Sequence, residues 1–105
     1  LMTAALAAPQ LTRNTKAIMP VHLYGQACNM QEISELTREN NLLLLEDAAQ
    51  AHGAAWQGRP VGSWGDMAAF SFYPTKNLGA LGDAGCIVTS SDDYAERLRS
   101  LRNYG

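Results

Sequence analysis

Four consecutive leucines, Leu42 to Leu45, run directly into Glu46 and Asp47. A strand with one face in water alternates apolar and polar residues, whereas one covered on both faces does not, and such strands belong to parallel sheets packed between helices. The run is far too short to span a bilayer, and it stops abruptly in two acids, as a buried strand does on reaching the rim of a sheet. The chain is therefore expected to be α/β, and its other segments have to fit around this strand.

They do so as alternating periods. "KAIMPVHLYG" carries a short apolar run, Ala17 to Val21, that closes into His, Tyr and Gly, as a buried strand entering a loop would. In "NMQEISELTRENN", Asn29 can cap, Glu32 stands in a capping-box position, and Met30, Ile33 and Leu36 repeat at helical spacing. Strand, helix and leucine strand then make a parallel pair joined by a right-handed crossover. "GDMAAFSFYP" and "GCIVTSS" read as two further strands, and "SDDYAERLRSLRNYG" as a last helix started by Ser90 or Ser91 and ended by Gly105. There is no internal repeat or low-complexity linker, so one layered α/β unit is expected. Only two full helices, at 30–40 and 92–103, are available to cover the sheet, which implies that apolar sheet surface stays open.

Composition removes several function classes. A formal net charge of −2 gives no electrostatic footprint for nucleic acid, and Arg97, Arg99 and Arg102 alternate with Leu98 and Leu101 as a solvated helix face does. Cys28 and Cys86 have no Cys or His partner at ligand spacing, so no metal site is expected and both thiols read as free. With no secretory pattern and no membrane span, the reading is a cytoplasmic, reducing environment. The opening "LMTAALAAPQL" reads as the continuation of a chain already under way and "LRNYG" ends without a tail, so a piece of a longer protein is expected.

The chain has two lysines, Lys16 and Lys76. Lys76 lies in "SFYPTKNLGALGDAG", among glycines, aromatics and small apolar residues where a solvated charge is out of place. In open α/β sheets ligands bind beyond the carboxyl ends of the strands, where the loops diverge. His22, Tyr24, Glu46, Asp47 and, after the third strand, Lys76 all fall at such ends, so an imidazole, a carboxylate and an amine are expected in one crevice. An amine in a poorly solvated pocket becomes a nucleophile toward aldehydes. Pyridoxal phosphate uses such a lysine together with an acid at its ring nitrogen.

Each residue also has a purely structural reading. Lys76 can be a surface charge, Asp47 a loop cap or half of a metal site, and Ser71 a buried strand hydroxyl. His22 and His52 can be satisfied core imidazoles, and Gln50 a loop residue bonding its own backbone. Periodicity leaves these alternatives open.

"PVHLYGQ", "EDAAQAHGA" and "GDMAAFSFYPTKNLGALGDAG" together resemble the large domain of the DegT/DnrJ/EryC1/StrS aminotransferases, in the family's order and from about Thr15 to Gly105. The resemblance implies a partial, mostly parallel sheet of the large domain of the fold-type I aminotransferases, with pyridoxal 5'-phosphate as cofactor. It gives Lys76 the position of the catalytic lysine that forms a Schiff base with the cofactor and moves the proton. Asp47 takes the place of the pyridinium partner, Gln50 that of the side chain beside the ring hydroxyl, and Ser71 that of a phosphate-binding hydroxyl. His22 and Tyr24 lie on a loop facing the ring, with no role carried over to them.

The family aminates nucleotide-linked keto-sugars, and the wording here is most similar to members acting on dTDP-keto-deoxysugars at carbon 3, with glutamate as the implied amino donor. It also implies a homodimer whose second subunit completes the site, and an N-terminal segment and C-terminal small domain outside residues 1–105. Two rivals remain: a family dehydratase, which carries His where Lys76 stands, and a non-catalytic module of the same fold.

Overall fold

The structure, a computed structural model, describes residues 1–103. Thr3 caps a single helical turn, α1 (Ala4–Ala7), which tightens into a 3-10 turn at Ala8–Gln10. The first strand, β1, is confined to Ala17–Ile18, shorter than the expected 17–21. The interruption falls at Pro20, which has no N–H for the ladder. Pairing nevertheless resumes at Val21, which bridges to Asp47, while the Pro20 carbonyl accepts the Asp47 N–H at 2.9 Å.

Helix α2 (Met30–Glu39) begins as its sequence dictates: Asn29 accepts the Glu32 N–H at 3.3 Å, and the buried stripe is Met30, Ile33 and Thr37. The leucine run becomes β2 (Leu43–Asp47), parallel to β1 with Ala17 opposite Leu43. Its two faces are unequal, with Leu44 and Glu46 buried and Leu43, Leu45 and Asp47 only partly so. Leu44 joins Ile18, Cys28, Met30 and Ile33 in the main core, against which Ala4, Ala7, Trp56 and Trp64 pack. The described chain has no comparable layer for the other face, which is why the expected burial on both sides is incomplete.

Ala55–Trp56 (β3) and Arg59–Pro60 (β4) form a small antiparallel hairpin that the sequence reading did not anticipate. Its two-residue turn places Gln57 and Gly58 at φ of 48° and 80°, the conformation a tight hairpin needs. Gln in place of the usual Asn or Asp concealed that signal.

The sheet is completed by β5 (Met67–Ser71), parallel to β2, and β6 (Gly85–Val88), antiparallel to β5, in the order β1-β2-β5-β6. All four residues of β6 are exposed. Helix α3 (Asp92–Arg102) is capped by Ser91, which accepts the Tyr94 N–H, and buries none of its residues. Its expected end at Gly105 lies outside the described residues. The expected open sheet surface is present: an apolar groove of about 720 Å³ runs between β5, β6 and α3, lined by Phe70, Cys86, Ile87, Val88 and Leu98 among others. Both cysteines are free, and among the described residues no helix is long and apolar enough to cross a membrane.

Candidate active site

Beyond the carboxyl ends of β1, β2 and β5 lies an open cavity of about 450 Å³. Three loops line it: Tyr24 and Gly25 after β1, Gln50 and His52 after β2, and Thr75, Lys76 and Asn77 after β5. The lysine loop is built by its own backbone, with the Lys76 N–H donating to the Tyr73 carbonyl at 2.8 Å and the Ala80 N–H to the Phe72 carbonyl at 2.7 Å. The closure requires glycine at position 79, where a Cβ would stand 2.6 Å from the Pro74 carbonyl oxygen. Lys76 is half-buried, and among the described residues its ammonium has no carboxylate partner.

Two more groups in the cavity lack part of their hydrogen bonding. Gln50 Oε1 accepts the Tyr24 N–H at 3.0 Å, leaving the amide NH2 free among the described residues. Among the described residues both ring nitrogens of His52 are buried without a partner, in a ring set 5.7 Å from Phe70 and 5.6 Å from Phe72 between centroids.

The two acids that end β2 point to opposite faces, as neighbours on a strand must. Glu46 turns inward, accepting a hydrogen bond from His22 Nε2 at 3.1 Å and from the N–H groups of Gly62, Trp64 and Gly65 at 2.8 Å each. Burial alone would raise its pKa, but the His22 bond and the three backbone donors outweigh it and hold the carboxyl below its ordinary value. His22 Nδ1 accepts the Cys28 N–H at 3.1 Å, which places the ring proton on Nε2. Asp47 is half-buried, and its Oδ1 accepts the Ala49 N–H at 3.0 Å. Ser71, at the end of the neighbouring strand, accepts the Tyr73 N–H at 3.3 Å.

The whole chain, residues 1–105, matches the DegT/DnrJ/EryC1/StrS aminotransferase family. The chain belongs to this family. Among its relatives, a dTDP-3-amino-3,4,6-trideoxy-alpha-D-glucose transaminase of Streptomyces venezuelae is 54% identical over 95 residues, covering 90% of this chain and 25% of the relative. A dTDP-3-amino-3,6-dideoxy-alpha-D-galactopyranose transaminase of Aneurinibacillus thermoaerophilus is 59% identical over 96 residues, covering 91% of this chain and 26% of the relative. Among solved structures, S. venezuelae DesV in complex with a ketimine intermediate superposes with a TM-score of 0.94 at 50% identity, over 99% of this chain and 28% of that one. The chain thus spans about a quarter of the length of the curated relatives it matches. Its α/β fold with a mostly parallel sheet is the one found in the family's solved aminotransferases.

In this DegT-family chain the expected convergence is partly corrected. The amine is at the cavity, but the imidazole there is His52: His22, expected in the crevice, is wholly buried with both nitrogens bonded. Glu46, also expected at the crevice, is consumed by that inner network. Lys76 and Gln50 line one cavity; Asp47 and Ser71 end adjacent paired strands beside it and are not among its lining residues. Thr75 and Asn77 were missed, and their only signal was adjacency to Lys76. The open question at His52 could not be read from sequence, because whether a ring nitrogen has a partner depends on contacts from other loops.

Proposed function

We propose that this chain is the cofactor-binding stretch of the large domain of a pyridoxal-phosphate-dependent aminotransferase that acts on a nucleotide-linked keto-sugar. The observation that carries the reading is the cavity itself. Among the described residues, a lysine amine without a carboxylate partner, a carboxamide with its NH2 free and an imidazole with no partner surround one space at the carboxyl ends of parallel strands. That donor set fits an aromatic aldehyde bearing oxygen substituents.

When bound, pyridoxal phosphate supplies an electron sink for the carbanion left when a C–H bond beside the amino nitrogen breaks. The chain's residues do the rest. Lys76 Nζ, at the cavity, would hold the aldehyde covalently and, when free, would take up and return a proton. Asp47 would hold a proton on the ring nitrogen, Gln50 would donate to the ring oxygen, and the Ser71 hydroxyl would bind phosphate. The inner pair His22 and Glu46 fixes the strand ends that carry these groups, since the His22 N–H also donates to the Asp47 carbonyl at 3.0 Å.

The finer reading is a dTDP-keto-deoxysugar aminated with glutamate as donor, in a cytoplasmic homodimer. The names of the Streptomyces and Aneurinibacillus relatives support the sugar. Lys76 favours amine transfer over the dehydratase alternative. The test is incubation of the full-length protein with a dTDP-keto-deoxysugar and glutamate. Formation of an amino sugar and 2-oxoglutarate in equal amounts, lost in Lys76→Ala, is expected; deoxygenation of the sugar without amination overturns the reading.

A further inference from the structure

Tyr24 adopts φ 54° and ψ 35°, a left-handed conformation that a bulky aromatic residue takes only when its surroundings impose it. The surroundings here are visible. The residues from His22 to Cys28 form a closed loop, because the Cys28 N–H bonds back to His22 Nδ1 at 3.1 Å. Inside it the Gln26 N–H donates to the Leu23 carbonyl at 3.1 Å, and Gly25 follows at φ 77°. The loop is rooted in the core through the His22–Glu46 bond. Its tip therefore has a fixed height over β2.

That height sets the direction of one N–H group, and the N–H meets Gln50. A backbone N–H can only donate, so the atom it touches is the amide oxygen, and the amide NH2 is turned away from it. Without this contact the two ends of the carboxamide would be free to exchange places, presenting an acceptor to the cavity as readily as a donor. Nothing in the exposed Tyr24 ring is required for this.

We propose that Tyr24 is a positioning residue: its backbone N–H, held in the left-handed conformation by the His22–Cys28 closure, locks the Gln50 carboxamide with its NH2 toward the ligand. The ligand group it selects is an anionic oxygen on an aromatic ring. The inference rests on the cofactor reading above. A donor bond to that oxygen withdraws negative charge and lowers the proton affinity of the cofactor–lysine linkage, so loss of the lock raises the pH at which the visible band titrates.

The test uses the full-length protein with Tyr24→Asn and Tyr24→Gly, which tolerate the left-handed conformation, and Tyr24→Val, which does not. Position 24 is exposed, so all three keep the core. Two signals are read: hydrogen exchange of the residue-24 amide in the cofactor-free protein, and the pKa of the visible band formed with pyridoxal phosphate. The Asn and Gly variants should retain the amide protection and the pKa of the parent. The Val variant and Gln50→Leu should both lose protection and raise the pKa by about one unit or more. A Val variant that titrates like the parent, or Asn and Gly variants that shift as far as Gln50→Leu, overturns the lock. A parent protein that forms no visible band overturns the cofactor reading, and this inference with it, even when the amide is protected.

Discussion

Glu46 and His22, both wholly buried, are joined by a 3.1 Å hydrogen bond from Nε2 to Oε2 that ties the end of β2 to the loop after β1. The same carboxylate gathers the backbone of Gly62, Trp64 and Gly65, so one side chain holds three segments of chain.

Replacing Glu46 by Gln puts an NH2 against groups that can only donate. The expected cost is about 3 kcal/mol, the usual range for breaking a buried charged network. It should appear as a lower urea midpoint of the full-length protein. A change within experimental error would show that the network is dispensable.

The same carboxyl makes stability pH-dependent. Its pKa is depressed below the ordinary 4.5 in the folded state, so on acidification the unfolded chain takes up the proton first. Its stabilising contribution is present above that value and is lost as pH falls through the folded pKa. Glu46→Gln should remove this part of the acid slope; an unchanged slope would assign it to other carboxylates.

Asp47→Asn keeps an oxygen for the Ala49 N–H and nearly the same shape, but removes the charge. Cofactor affinity should weaken modestly and turnover should fall by about two orders of magnitude or more. Near-normal turnover would reduce Asp47 to the turn cap it also is.

The 105-residue chain by itself should associate or precipitate. The groove between β5, β6 and α3 leaves Ile87 52% and Val88 38% exposed, and apolar surface of that kind marks a partner face or an aggregation liability. Light scattering that finds a compact, soluble monomer at high concentration would contradict this.

Much of the fold was legible because its signals are local. Asn29 and Ser91 cap helices through atoms three residues away, and the leucine run needs no distant partner to be read as a strand. The hairpin at Gln57–Gly58 was not legible, since Gln57 stands where such a turn usually has Asn or Asp. In the site, strand alternation requires Glu46 and Asp47 to face opposite ways, but it does not say which faces inward. That was decided by donors from Gly62, Trp64 and Gly65, brought from elsewhere in the chain. His22 and His52 look alike in sequence and differ only in what long-range contacts offer them.

The central claim is that Lys76 anchors the cofactor. The full-length protein is to be mixed with pyridoxal phosphate, reduced with borohydride, digested and mapped by mass spectrometry. The account predicts a visible band before reduction and a single stable pyridoxyl adduct on the peptide containing Lys76. An adduct on Lys16 instead, or none on either lysine, would contradict it.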